Sequence, residues 1–264
     1  MRTPPSSKPN GRATLDDRPE DAPVLTSRPV QPASRGAGGR LRDFSLLRNS
    51  GYNMGTTIVS SLFGYFYWVL AARRYDAAEV GLAASLIAAL TIASAASSIG
   101  LGATIVQALP RRPTVKAWSA TLNGSMLVGA ALGVPGAIAV VVGLPLASSS
   151  FDILIRDPLV ALLLVVGVVT SNAASVLDSA FIAERASGYS LFRNLVFAVV
   201  KLPLVVLPFV VALGAAGILG TWVVAVLVGL APGFWLIVHM KPAYTPSVAR
   251  FATEARTALG SLAG

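Results

Sequence analysis

The chain has 264 residues, of which 54% are hydrophobic and only 12% charged, roughly half the charged share of an average soluble domain. Its net charge of +9 does not call for nucleic acid, because the basic residues lie in the first segment and between apolar runs, where membrane topology accounts for them. With no Cys and a single histidine, His239, the sequence excludes disulfides, thiolate chemistry and Cys- or His-rich metal centres.

Residues 1–45 carry seven prolines among Ser, Gly, Arg and Asp and few large apolar side chains. Such a segment buries too little surface to offset its ordering entropy and is expected to be a disordered cytoplasmic tail. It lacks the apolar core of a cleaved signal peptide. The short run Leu41-Arg42-Asp43-Phe44-Ser45-Leu46-Leu47-Arg48 has two readings, a turn or two of interfacial helix or a continuation of the tail.

Six charge-poor apolar runs follow, at 51–71, 80–109, 122–144, 159–183, 191–213 and 217–238. Each is long enough for a helix to cross a hydrocarbon core of about 30 Å, and too long for a barrel strand. The sequence therefore predicts an all-α polytopic membrane protein with six transmembrane helices over residues 46–240 and a cytoplasmic segment over 241–264. Pro135 is expected to kink the third helix, and Pro203 and Pro208 to break up the fifth. Placing the N-terminus inside puts Arg111, Arg112, Lys116, Arg185, Arg193 and Lys241 in cytoplasmic loops and leaves Arg73, Arg74 and Arg156 outside. Both termini are then expected in the cytosol, in a cytoplasmic or inner membrane.

The first helix is two-sided. Asn53, Thr57, Ser60, Gly64 and Tyr67 form a polar stripe, opposite Met54, Ile58, Leu62, Phe66 and Val69. The polar stripe is expected to avoid lipid, either lining a cavity or mediating helix packing. In the second helix Ala84, Ala88, Thr91, Ala95, Ser98 and Gly102 form a small-residue face along which backbones can approach. Gly129 and Gly133 form a GxxxG whose default reading is core packing. Asp178 and Lys201 are the costly residues, at similar distances from a turn near residue 189, so antiparallel helices would let them meet. Three readings stay open for them: a structural pair or snorkelled charges, a charge exposed in a substrate cavity, and a proton or ion relay.

Several segments resemble the amino-terminal half of polysaccharide flippases in the multidrug/oligosaccharidyl-lipid/polysaccharide exporter superfamily. They are Asn49-Ser50-Gly51-Tyr52-Asn53-Met54-Gly55, Val69-Leu70-Ala71-Ala72-Arg73-Arg74-Tyr75, Glu79-Val80-Gly81, Ser98-Ile99-Gly100-Leu101-Gly102 and the run from Val176 through Asp178 to Ala183. The resemblance implies one six-helix lobe of a two-lobed exporter that alternates its access between the membrane faces. It implies a polyprenyl-pyrophosphate-linked glycan as substrate, and a second lobe, or a second copy of the chain, as partner within membrane lipid. It places the Asn53 stripe and parts of the second helix at the cleft; Lys201 as a phosphate contact is an inference from charge alone. Substrate-cavity candidates are therefore Asn53, Thr57, Ser60, Tyr67, Thr91, Ser98, Asp178 and Lys201. No cofactor and no enzymatic activity are expected, since one intramembrane acid and one histidine make a poor reactive set. Two alternatives remain, a non-transporting subunit of a polysaccharide synthesis or export complex and a cation-coupled drug exporter lobe.

Overall fold

An apolar run that must satisfy its own backbone hydrogen bonds away from water becomes a helix. In the structure, a computed structural model that describes residues 37–246 with side chains from Gly51 on except that of Asn53, every apolar run is helical. The elements are α1 (Ala37–Arg74), α2 (Ala77–Ser97), α3 (Leu101–Ala108), α4 (Val115–Ala147), α5 (Ile153–Arg156), α6 (Pro158–Ala183), α7 (Ser187–Leu204), α8 (Pro208–Val211) and α9 (Gly214–Met240). Single 3-10 turns at Leu109–Arg111 and Ser149–Phe151 precede α4 and α5. The backbone of α1 reaches back past the expected tail boundary at residue 45 and takes in the 41–48 run; residues 1–36 and 247–264 lie outside the described residues.

Helix ends follow local chemistry. The Thr114 hydroxyl accepts from Ala117 N at 3.2 Å to open α4, and the Asp157 carboxylate accepts from Leu159 N at 2.9 Å ahead of Pro158 to open α6. Gly100, at φ 80°, turns the chain between α2 and α3, so the single span expected over 80–109 is divided there. Pro203 and Pro208 divide the fifth run as expected, into α7 and the single turn α8. Pro135 does not interrupt α4, which runs on for 33 residues.

The chain is an all-α polytopic membrane protein: among the described residues five helices, α1 from Met54 on, α2, α4, α6 and α9, are long and apolar enough to cross a bilayer. The expected sixth does not meet that standard, because Arg193, Asn194 and Lys201 with the small polar residues of its first turn leave α7 too polar over its 18 residues. It nonetheless joins the two ends of the bundle. Its first residue follows the α6–α7 turn, where Arg185 shares a cavity with Arg112 and Lys241; beyond its last, the Val205 carbonyl accepts from Tyr75 Oη at 3.0 Å, beside the α1–α2 turn.

Two apolar clusters fill the interior. One gathers Tyr67, Leu86, Leu90, Val160, Leu164, Val168 and Leu219; the other gathers Ile105, Trp118, Leu122, Val176, Leu177, Phe181 and Ile237. Along α6, Val168 belongs to the first and Val176 to the second, with Asn172 one turn from each, so a polar layer separates them. Asn172 accepts from Ser94 Oγ at 2.6 Å and donates through Nδ2 to the Gly129 carbonyl at 2.9 Å, tying α2, α6 and α4 together in mid-bundle.

Helix faces differ from expectation in two places. On α1, Met54, Ile58, Leu62 and Phe66 face outward as the lipid stripe should, but Thr57 and Ser60 are exposed as well, and of the polar stripe's described large residues only Tyr67 turns in. On α2 the small-residue stripe is not the packing face: Ala88, Thr91 and Ala95 are exposed while Leu86, Leu90 and Ser94 are buried. The leucines carry more apolar surface, and the bundle interior takes them in preference to alanine.

Close approach requires glycine at one turn. A Cβ on Gly217 would run into the backbone carbonyl of Val210, whereas one on Gly220 would lie 3.7 Å from Leu163 Cδ1. Gly217→Ala is expected to cost about 2–3 kcal/mol by forcing α8 away from α9. Gly220→Ala should leave unfolding in detergent micelles unchanged.

Residues 241–246 fold back over the end of the bundle. Tyr244 Oη hydrogen-bonds Asn123 Oδ1, Asn123 Nδ2 donates to the Thr245 carbonyl at 2.9 Å, and the Tyr244 ring meets Trp118 edge-on at 6.3 Å. Burial pushes the Tyr244 hydroxyl above its usual pKa of 10.0. The released segment thus loses its proton at a lower pH than the docked one, so the stabilisation is complete below about pH 10 and is lost as pH rises beyond it. Tyr244→Phe should cost about 1 kcal/mol at neutral pH. The alkaline change in tryptophan fluorescence should be present in the wild type and reduced in this variant.

Candidate functional site

Serines at 171 and 175 recur at helical spacing on α6 and end at Asp178, so one face of that helix is polar where its neighbours are apolar. The bundle opens along this face into a cavity of about 500 Å³. Its walls are Leu90, Thr91, Ser94 and Ala95 of α2 with Ser98 just past its end; Ser171, Ala174, Ser175 and Asp178 of α6; Arg193, Asn194 and Phe197 of α7; and Trp222 and Val226 of α9. Thr91, Ala95 and Ser175 are exposed, so the cavity reaches the outside of the bundle.

The charged element of the cavity is an ion pair. Arg193 clamps Asp178 with Nε to Oδ1 at 3.0 Å and a terminal nitrogen to Oδ2 at 2.6 Å, and Ser190 Oγ donates to Oδ1 at 2.7 Å. The same guanidinium reaches Asn194 Oδ1 at 3.2 Å, and Asn194 Nδ2 is anchored on the Ser190 carbonyl at 2.9 Å. A two-point guanidinium–carboxylate contact fixes both side chains in orientation as well as distance. The Arg193 side chain is 6% exposed and that of Asp178 26%, so the carboxylate is the member open to a ligand.

Here the structure corrects two expectations. Arg193 does not lie in a cytoplasmic loop but within α7, and it, not Lys201, meets Asp178. Lys201 lies two turns further along α7, roughly 12 Å at 1.5 Å per residue, too far to compete. Its ammonium lies instead over three rings, at 5.1 Å from the centroid of Tyr67 and 4.6 Å from those of Phe197 and Trp222. No carboxylate pairs with it among the described residues. Tyr67 Oη is held by Thr221 Oγ1 at 2.8 Å and the Ile218 carbonyl at 3.1 Å, and Phe197 meets Trp222 edge-on at 5.2 Å. Phe197 and Trp222 therefore serve twice, as cavity wall and as the box around Lys201.

Of the residues singled out from the sequence, Thr91, Ser98 and Asp178 come together in the cavity. Tyr67 and Lys201 meet behind its wall, Thr57 and Ser60 lie exposed on α1 outside its lining, and the Asn53 side chain lies outside the described residues. Sequence reasoning missed Arg193, Ser190, Asn194, Phe197, Trp222 and Asn172. The signal for Arg193 was its spacing of fifteen from Asp178 across a short turn, as good a match for antiparallel helices as Lys201. No three His, Cys, Asp or Glu side chains gather in a metal-binding group among the described residues.

The cavity can accept and donate hydrogen bonds on several sides, presents two aromatic rings, and carries one carboxylate and one guanidinium that neutralise each other. No family model, curated protein or solved structure matches the chain.

Proposed function

We propose that this chain is one lobe of a membrane exporter that translocates a lipid-linked oligosaccharide by alternating access, with a second lobe or a second copy of itself as the opposing surface. The observation that carries the reading is the open polar cavity inside an otherwise apolar bundle. Hydroxyls, an amide and an ion pair suit a polyhydroxylated group, and the Phe197 and Trp222 rings suit the CH faces of a sugar. The outward small-residue stripe of α2 forms one margin of the cavity, where a facing lobe could approach closely.

In this reading α7 and α8 together make a sixth crossing. Arg112, Arg185 and Lys241, at one end, face the cytosol; Arg73, Arg74 and Arg156 face outward, and both termini are cytoplasmic. The carrier's pyrophosphate is the less well served part, because the cavity's two charges cancel and Lys201 lies behind the rings.

The test is reconstitution of the chain in vesicles, alone and with candidate second lobes, with a fluorescent polyprenyl-pyrophosphate sugar placed in one leaflet. Movement of the label to the other leaflet at a rate above that of empty vesicles is expected. A rate equal to empty vesicles for every combination would refute transport.

A further inference from the structure

A second cavity, of about 260 Å³, lies at the end of the bundle where the α6–α7 turn meets the start of α4 and the end of α9, and it is lined by Arg112, Trp118, Glu184, Arg185 and Lys241 among others. Three cations face one carboxylate. That carboxylate is committed inward: Glu184 Oε1 accepts from Trp118 Nε1 at 2.7 Å and Oε2 from Lys241 Nζ at 3.0 Å. Neither Arg112 nor Arg185 has an ion-pair partner among the described residues.

The backbone at Arg185 adds an independent observation. Ala186 N donates to the Phe181 carbonyl at 2.8 Å and Arg185 N to the Ile182 carbonyl at 3.0 Å, which is the hydrogen-bond pattern of a Schellman turn closing α6. Its left-handed position is held by Arg185, at φ 56°, where glycine would be unstrained. The turn's own amides already cover these carbonyls, so the guanidinium is not needed to cap the helix, and it is exposed beside Arg112. The pocket lies at the ends of the spanning helices α6 and α9, where the bundle meets the headgroup region.

We infer that Arg112 and Arg185 bind a phosphate group at this corner, with Lys241 beside them. Two exposed guanidinium groups lining one pocket supply the charge and the paired donors that phosphate oxygens take. At this depth the source is the headgroup of an anionic lipid; a soluble phosphate offers the same chemistry. The inference is independent of what the central cavity carries.

The experiment uses the full chain in phosphatidylcholine nanodiscs doped with phosphatidylglycerol, with retained lipid counted by native mass spectrometry. The double variant Arg112→Gln/Arg185→Gly is compared with Arg73→Gln/Arg74→Gln, which removes equal charge at the opposite end. Glycine fits the turn at 185, so the first variant should melt no lower than the wild type. It should lose preferential retention of phosphatidylglycerol by roughly tenfold or more, the effect of two interfacial cations, while the control keeps it. In a parallel arm without anionic lipid, thermal stabilisation of the wild type by inorganic phosphate that the Arg112→Gln/Arg185→Gly variant lacks would support the phosphate site and assign it to a soluble ligand. Equal retention by both variants, with no effect of inorganic phosphate, would overturn the proposal.

Discussion

Asp178→Ala is expected to destabilise the bundle by roughly 3 kcal/mol, the lower end of what an unpaired buried charge costs. The substitution strands the Arg193 guanidinium, whose side chain is 6% exposed, and frees Ser190 Oγ from its acceptor. The lower end applies because the carboxylate site itself is 26% open to the cavity, so water can partly replace it. Asp178→Asn, which keeps an acceptor for both Arg193 and Ser190, should lose only about 1–2 kcal/mol. Replacing both charges, as Asp178→Leu with Arg193→Met, should recover most of the loss, since an apolar pair of similar volume incurs no desolvation cost. Reversible unfolding in mixed micelles measures these stabilities, and the single variants Asp178→Leu and Arg193→Met complete the cycle that isolates the coupling between the two residues.

The same proteins separate structure from function. If the pair serves the cavity, the recovered double variant should be stable and inactive in the vesicle assay, because the carboxylate open to a ligand is gone. A double variant that regains transport with its stability would make the pair a structural clasp. A single variant as stable as the wild type would show that solvent screens the pair.

Most of the helices were legible in the sequence, and most of the cavity was not. Runs such as 159–183 and 217–238 differ from α6 and α9 by a few residues at the ends, because a long apolar, charge-poor stretch has one stable backbone solution in a bilayer. The departures fall where a short-range event overrides composition. At Gly100 one left-handed residue divides an apolar run that reads as a single span, whereas the break at Pro203 and Pro208 was legible from the prolines themselves. Side-chain pairing was less accessible, because it depends on how far along a helix each residue lies. Asp178 had two cations within reach of a sequence-level argument, and only the packing of α6 against α7 gives it to Arg193. Asn172 gave no periodic signal, being one amide in an apolar run, although its hydrogen bonds join three helices. The α2 stripe was visible as a pattern, but whether small residues face inward depends on the leucines competing for the same interior.

Lys201→Glu should be among the most damaging substitutions in the chain, at about 4 kcal/mol, since it sets a desolvated carboxylate against the negative faces of three rings. Lys201→Met should do almost nothing to stability, or raise it by about 1 kcal/mol. The residue is 3% exposed and has no carboxylate partner among the described residues, so burying its charge costs several kcal/mol. Three ring faces at 4.6–5.1 Å return part of that, at about 0.5–2 kcal/mol each. The two effects nearly cancel, and methionine keeps the length of the stem and a favourable sulfur contact with the same rings. Loss of 2 kcal/mol or more in Lys201→Met, read by the same unfolding assay, would show that the rings over-compensate the desolvation. The vesicle assay of the proposed function distinguishes the roles further: Phe197 and Trp222 stand between the ammonium and the cavity, so on that proposal Lys201→Met should move the labelled lipid at close to the wild-type rate while Asp178→Leu/Arg193→Met does not. A stable Lys201→Met protein that fails to transport would place the ammonium in contact with substrate in another state of the cycle, with the aromatic box as its resting position.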